Sequence, residues 1–238
     1  VKNYTYKVEF QDRGAGHIHG TLWLRLDKIE KMVREVNGVE CPVFTGLAEA
    51  FKKFRNNGIL TNNDVAAVKQ FIDEYTTVSI HENTVGREVA RIASEVNRHH
   101  HTKTCRKHDT TCRFSYPRYP APYTIVVEPC KGKSQEDIDA DLARYRRVLS
   151  KVRDVLEDED AMNKIMNKYK KQEETTKEYQ DNIKLRIEDL VKVAGVEYND
   201  YLKALGTSKT GYSVVQQRDL DEININSYNI EWMRAWNG

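Results

Sequence analysis

The chain has 238 residues and a net charge of +2, with 39% hydrophobic and 31% charged residues, so apolar material for a core sits beneath a heavily charged surface. No apolar run approaches the roughly 20 residues that cross a bilayer. No basic-then-apolar leader opens the chain, and this argues against a membrane protein and a secreted one alike.

The first elements read as a β-hairpin. Tyr4 to Gln11 alternates apolar and polar residues with the period of two that a strand requires. Asp12-Arg13-Gly14-Ala15-Gly16 supplies two glycines for a turn, and a second alternating run follows from His17 to Leu26. Helices are then predicted from Asp27 to Val36 and from a Thr45 cap through Leu47, Ala50, Phe51 and Phe54 to a stop at Gly58. Asn63 or Asp64 is expected to start a third helix through Val65, Val68, Phe71 and Ile72, and a fourth runs through Val89, Ile92 and Val96.

A triple histidine, a basic loop, a turn with Pro117, Pro120 and Pro122, and a β-rich run from Tyr123 to Val127 come next. From Ser134 to about Val193 the chain is charged and helical. Ile138, Leu142, Tyr145, Leu149, Val152 and Leu156 recur every three or four residues as one buried stripe. Asn167 to Tyr179 has few apolar residues and is expected to be an exposed helix or a mobile connection. A strand over Gly211 to Gln216 and an Asn-rich turn near Asn224 to Asn229 complete the pattern.

Two groups of residues carry chemistry. In His17-Ile18-His19 the two histidines occupy alternate strand positions, so both imidazoles are expected on one face, with Ile18 on the other. They can share one divalent ion given a third polar ligand, and Glu9 and Gln11 on the neighbouring strand offer one. An oxygen beside two imidazoles suits Mn²⁺ or Mg²⁺ and leaves positions open for a phosphate. The second group is His99, His101, Cys105 and Cys112, thiol and imidazole ligands of the type that closes a structural zinc site. His100 and His108 compete for a place in it, while Cys41 and Cys130 are remote in sequence. Without a secretory signal, the four cysteines are expected to be reduced.

The same loop is strongly basic. Arg98, Lys103, Arg106, Lys107, Arg113 and Arg118 face a single acid, Asp109, and such a patch suits phosphate contacts. Tyr116 and Tyr119 are expected to be available for stacking on unpaired bases. No Gly-x-x-x-x-Gly-Lys-Ser/Thr loop occurs, so no ATP site is assigned.

The run from Val8 to His19 resembles the Glu-Phe-Gln-x-Arg-Gly-x-x-His-x-His motif of Helitron transposon replication proteins, which are HUH endonucleases. Two further blocks agree in order. His99 to Cys105 followed by Cys112-Arg113-Phe114-Ser115-Tyr116-Pro117 resembles the family's downstream His/Cys segment. Arg218 to Glu222, Asn226 to Asn229 and Ala235-Trp236-Asn237 resemble the block just before its catalytic tyrosines.

The resemblance implies a single-stranded DNA nickase in which a tyrosine attacks the phosphodiester and leaves a 5′-phosphotyrosine and a free 3′-hydroxyl. His17 and His19 are then the metal ligands, with Gln11 preferred as the third and Glu9 next. The tyrosine pair is expected beyond Gly238 and a helicase beyond that, so the chain, which lacks an initiator methionine, reads as a fragment unable to nick by itself. Tyr198 and Tyr201 imitate a paired spacing, though their place in the family pattern favours packing.

The resemblance also implies an α+β fold, an antiparallel HUH-type sheet flanked by helices with a charged helical insertion. The domains expected are a nuclease part over 1–133, the insertion over 134–200, and a return to the nuclease over 201–238. An intracellular location follows, nuclear in a eukaryotic host. The alternatives are a non-catalytic single-stranded DNA-binding module of a transposon- or virus-derived helicase, and a zinc-stabilised scaffold built on the charged helices.

Overall fold

The computed structural model describes residues 3–10, 16–103, 105–106, 112–132, 134–169 and 176–236, with the backbone alone for residues 3, 6–10, 16–23, 176–177, 180 and 236. The chain is α+β, about 53% helix with small sheets, and it divides into two compact units, Val1–Phe71 and Ile72–Gly238. Among the described residues no helix is long and apolar enough to cross a membrane.

The first unit begins with the expected hairpin, β1 (Asn3–Phe10) antiparallel to β2 (Gly16–Trp23). Its register sets Phe10 opposite Gly16, Glu9 opposite His17, Val8 opposite Ile18 and Lys7 opposite His19. Gln11 lies outside the described residues. The helix expected over Asp27 to Val36 is shorter: α1 covers only Leu26–Ile29, and a second hairpin follows, β3 (Val33–Val36) with β4 (Val39–Pro42). The signal for it is in the chain. Asn37-Gly38 turns with φ of 53° and 78° between β-branched valines, and Asn-Gly is the dipeptide that a tight hairpin turn prefers.

Two helices complete this unit, α2 (Leu47–Arg55) and most of α3 (Asn62–Tyr75). Gly46, not Thr45, occupies the cap position of α2, with φ 71°, a conformation that suits glycine. At the start of α3, Thr61 and Asp64 cap each other: the Asp64 N–H donates to Thr61 Oγ1 at 3.2 Å, and the Thr61 N–H donates to Asp64 Oδ2 at 2.8 Å. Lys53 reaches the same carboxylate at 2.8 Å, which ties α2 to α3. Between these helices Phe44, Leu47, Ala50 and Val68 are buried, and Phe71 packs edge-on against Phe51 with centroids 5.2 Å apart.

The second unit has two apolar cores. The larger joins α6 (Gln135–Glu157), α7 (Glu159–Lys168), α8 (Thr176–Val193) and α9 (Tyr198–Leu205) through Val152, Leu156, Ile165, Ile183, Ile187 and Leu190. Ser134 caps α6 by accepting the Asp137 N–H at 3.1 Å, and Asp158 separates α6 from α7 by accepting the N–H groups of Asp160 and Ala161. Tyr201, Leu205, Leu220 and Ile223 belong to the same core. The helices expected to form an insertion over 134–200 share their interior with Tyr201, Leu205, Leu220 and Ile223. Tyr179, expected on an exposed or mobile stretch, is 7% exposed and part of this core.

The smaller core joins α4 (Glu82–Val85) and α5 (Arg87–Glu95) to Ile225 and Tyr228. A three-stranded sheet has β5 (Ile125–Pro129) in the middle, antiparallel to β7 (Ser213–Val215) and parallel to the short β6 (Thr207–Ser208). The segment after β7 is the clasp of this unit. It bridges Ala121 at Arg218, Arg98 at Ile225 and Thr77 at Tyr228. A short helix, α10 (Ile230–Trp236), follows it.

Candidate metal centre

The loop after α5 is anchored at both ends on consecutive residues of the clasp. The His99 N–H donates to the Asn224 carbonyl at 2.7 Å, and the Arg118 N–H donates to the Ile223 carbonyl at 2.8 Å. Among the described residues between these anchors, hydrogen bonds close two tight turns. Cys105 closes one on Thr102 at 3.1 Å, Ser115 closes the other on Cys112 at 2.9 Å, and the Arg113 N–H joins them by donating to the Cys105 carbonyl at 3.0 Å.

This scaffold gathers His99, His101, Cys105 and Cys112, whose ligand atoms all lie within 4.8 Å of one another. His99 Nε2 is 3.3 Å from Cys112 Sγ, and His101 Nδ1 is 3.6 Å from Cys105 Sγ. Both thiols are buried, at 2% and 9% exposure, in a small cluster with Tyr116. Four convergent ligand atoms can hold a metal ion.

The electrostatics favour the ligating forms. Burial holds the imidazoles of His99 and His101 below their ordinary range, aided at His99 by the neighbouring histidines and Arg118 and at His101 by Arg106. A neutral imidazole is the form that binds metal. Burial alone pushes the Cys112 thiol up, but the backbone N–H groups of Tyr116 and Phe114, then Cys105 and Arg106, outweigh it and leave the thiol below its usual value.

The ring of His99 is held from behind. It stacks on Tyr116 with centroids 4.4 Å apart and planes 16° apart, and the Tyr116 hydroxyl donates to Asn226 Oδ1 at 2.5 Å. Asn226 is in turn fixed by Asn97, whose carbonyl accepts the Asn226 N–H at 3.0 Å.

The expected base-stacking tyrosines are therefore engaged internally. Tyr116 is 5% exposed behind His99. Tyr119 packs against the larger core, donates to the Leu149 carbonyl at 3.1 Å, and carries the Arg153 guanidinium 4.7 Å from its ring centroid. Tyr116 is buried, and Tyr119 is half-buried with its hydroxyl engaged and a guanidinium over its ring.

The cations fare differently. Lys103, Arg106, Arg113 and Arg118 are exposed, whereas Arg98 is half-buried and donates to the carbonyls of Ser94 and Asp221 at 3.2 and 3.4 Å. Lys107 and the competing His108 lie outside the described residues. His100 is exposed and does not belong to the cluster. Cys41 and Cys130 are free thiols, half-buried and also outside it.

Tyr201 is completely buried and donates to the Pro120 carbonyl at 2.7 Å, and burial raises its hydroxyl well above the ordinary range. Tyr198 is half-buried beside Lys184, and burial pushes it up to about 12. Their surroundings suit packing and not the formation of a phenolate.

Sequence reasoning missed the buried polar clasp of Arg218, Asp219 and Glu222. Arg218 Nη1 donates to the carbonyls of Glu222 and Ile225, the latter at 2.8 Å. Asp219 pairs with Arg186 at 2.7 Å, and Glu222 accepts from the Tyr179 hydroxyl at 2.9 Å and the Ile80 N–H at 3.1 Å. The one available signal was an Asp-x-x-Glu spacing at a helical turn, and both carboxylates do form a capping box. Comparison with family models, curated proteins and solved structures finds no match for this chain.

Proposed function

We propose that this chain is part of a Helitron-type replication protein, a metal-dependent nickase and strand-transfer enzyme for single-stranded DNA, with a zinc-clamped loop that binds the DNA. The observation that carries this reading is the register of β1 and β2. His17 and His19 take alternate positions of an antiparallel strand, and Glu9 is the partner of His17. Alternate positions fall on one side of the pleat, and this register supports the ion site that the resemblance implies.

His17, His19 and Gln11 or Glu9 would hold a divalent ion, which would supply Lewis-acid polarisation of the scissile phosphate. The tyrosine that the resemblance places beyond Gly238 attacks phosphorus. A Tyr–O–P bond forms as the P–O3′ bond breaks; the tyrosine hydroxyl gives up its proton, and the released 3′-oxygen takes one up to become the 3′-hydroxyl. The basic loop holds the strand through its phosphates.

Zinc is the ion proposed for the second cluster. Tetrahedral Zn²⁺ with its usual sulfur and nitrogen distances sets neighbouring S and N ligands about 3.5 Å apart. Two of the separations, 3.3 and 3.6 Å, lie on either side of that value, and all four ligand atoms lie within 4.8 Å of one another.

The test uses a protein extended past Gly238, Mn²⁺ and a labelled single-stranded oligonucleotide. A covalent adduct that disappears in His17→Ala and His19→Ala proteins is the expected result. Undiminished DNA binding with no adduct under any condition overturns the nickase and leaves a non-catalytic DNA-binding module. Independently, elemental analysis should give one zinc per chain, absent from Cys105→Ser and Cys112→Ser proteins.

A further inference from the structure

The turn after Cys112 presents an aromatic ring to solvent. The Ser115 N–H closes it on the Cys112 carbonyl at 2.9 Å, which puts Arg113 and Phe114 at the two corners. Ser115, with φ 59°, then redirects the chain inward to Tyr116. Cys112 and Tyr116 are buried as a result, while Arg113 is exposed and Phe114 remains 46% exposed. The Arg113 guanidinium lies 4.6 Å from the Phe114 ring centroid, and His99 makes an edge contact with the ring at 5.8 Å.

One exposed aromatic is ordinary on a protein surface. This one stands on a loop tied to the clasp at both ends and held internally by the Arg113 N–H to Cys105 carbonyl bond. Among the described residues, no carboxylate pairs with the exposed Lys103, Arg106, Arg113 or Arg118. An apolar ring in a positive rim matches a flat, apolar group attached to a negatively charged chain. An unpaired base with its phosphate has that chemistry, and a base in a duplex, already stacked on its neighbours, does not offer its face.

We propose that Phe114 is the base-stacking platform of the metal loop, receiving one unpaired base of single-stranded DNA, with Arg113 and Arg118 on the adjoining phosphates. The choice of DNA rests on the proposed function; the platform itself uses no residue of the His17–His19 hairpin. Phe114 takes the role that the sequence assigns to Tyr116 and Tyr119, which the fold turns inward.

The test is fluorescence anisotropy of a labelled oligodeoxythymidylate with the zinc-loaded protein, without manganese, against a duplex of equal length. Phe114→Ala and Phe114→Leu should weaken single-strand binding by about 5- to 100-fold, since a stacked base contributes on that scale. Duplex affinity and zinc content should stay as in the wild type. Leucine retains apolar packing without a π face, so its weaker binding cannot be assigned to misfolding. Phe114→Trp should restore affinity and add emission that the oligonucleotide quenches. Arg113→Gln with Arg118→Gln should lower the salt dependence by about 0.7 for each phosphate that is no longer neutralised.

The platform is overturned if Phe114→Leu binds single strands like the wild type, or if single-strand and duplex affinity fall together. An oligouridylate bound roughly tenfold tighter than the DNA overturns the choice of DNA. Nicking that fails while the Phe114 effect persists sinks the nickase reading alone, and the reverse pattern sinks only the platform.

Discussion

The imidazole of His99 and the phenol ring of Tyr116 lie face to face, 4.4 Å between centroids, so a metal ligand is oriented by an aromatic whose far end is tied to Asn226. Second partners of this kind set ligand orientation and commonly control affinity. Tyr116→Ala removes both the stack and the tether, and zinc affinity measured by chelator competition should fall about 10- to 100-fold. Tyr116→Phe keeps the ring and gives up one hydrogen bond, which costs about 1 kcal/mol of stability and leaves zinc affinity near the wild-type value. Unchanged zinc affinity in the alanine protein would remove Tyr116 from the metal centre.

Asp64 makes the first unit sensitive to acid. The Lys53 ammonium, then the Thr61 N–H and hydroxyl, hold its carboxyl down to about 2, below the ordinary value of 3.8. A lowered folded-state pKa stabilises the protein fully above the unfolded value. That stabilisation is lost as pH falls from about 3.8 to about 2. Asp64→Asn should cost roughly 1–2 kcal/mol at neutral pH and flatten the stability profile across that window. Chemical unfolding as a function of pH reads this directly, and a variant whose acid profile matches the wild type contradicts it.

Asp219 and Arg186 form a buried pair, with Nη2 to Oδ2 at 2.7 Å, Nε to Oδ1 at 2.9 Å and side chains 5% and 3% exposed for Arg186 and Asp219 respectively. Taking away one partner leaves the other charge without compensation in the interior. Asp219→Ala should therefore cost about 3–5 kcal/mol in urea unfolding, while Arg186→Met with Asp219→Leu should cost less than the two single changes added together. Additive losses would show that the pair is not energetically coupled.

Tyr198 and Tyr201 are expected to be dispensable for any DNA adduct. Tyr201→Phe gives up the bond to the Pro120 carbonyl and should cost about 1 kcal/mol, whereas Tyr201→Ala opens a core cavity at about 3–5 kcal/mol. In the protein extended past Gly238, adduct formation should survive Tyr198→Phe and Tyr201→Phe. Its disappearance in either folded variant would make that residue the nucleophile.

The parts of this protein that were legible in the sequence are governed by near neighbours. Strand alternation from Tyr4 specifies a hairpin, although the second strand ends at Trp23 and Leu26, expected at its end, opens α1; a three-to-four spacing from Leu142 to Leu156 specifies a helix with one buried face. His99, His101, Cys105 and Cys112 fall within 14 positions of chain, and the fold brings their ligand atoms together. Asn37-Gly38 carried a local turn signal too, but the helix expected over Asp27 to Val36 passed it by.

Only the tertiary structure decided which polar and aromatic groups face inward. Tyr116 and Tyr119 look the same as Phe114 to any reading of composition, but His99 and Asn226 claim one and Leu149 and Arg153 claim the other. Arg186 meets Asp219 across 33 positions, and Glu222 meets Ile80 across 142. Burying such groups is tolerable only when a partner arrives. That partner comes from a distant part of the chain, at a separation no local pattern encodes.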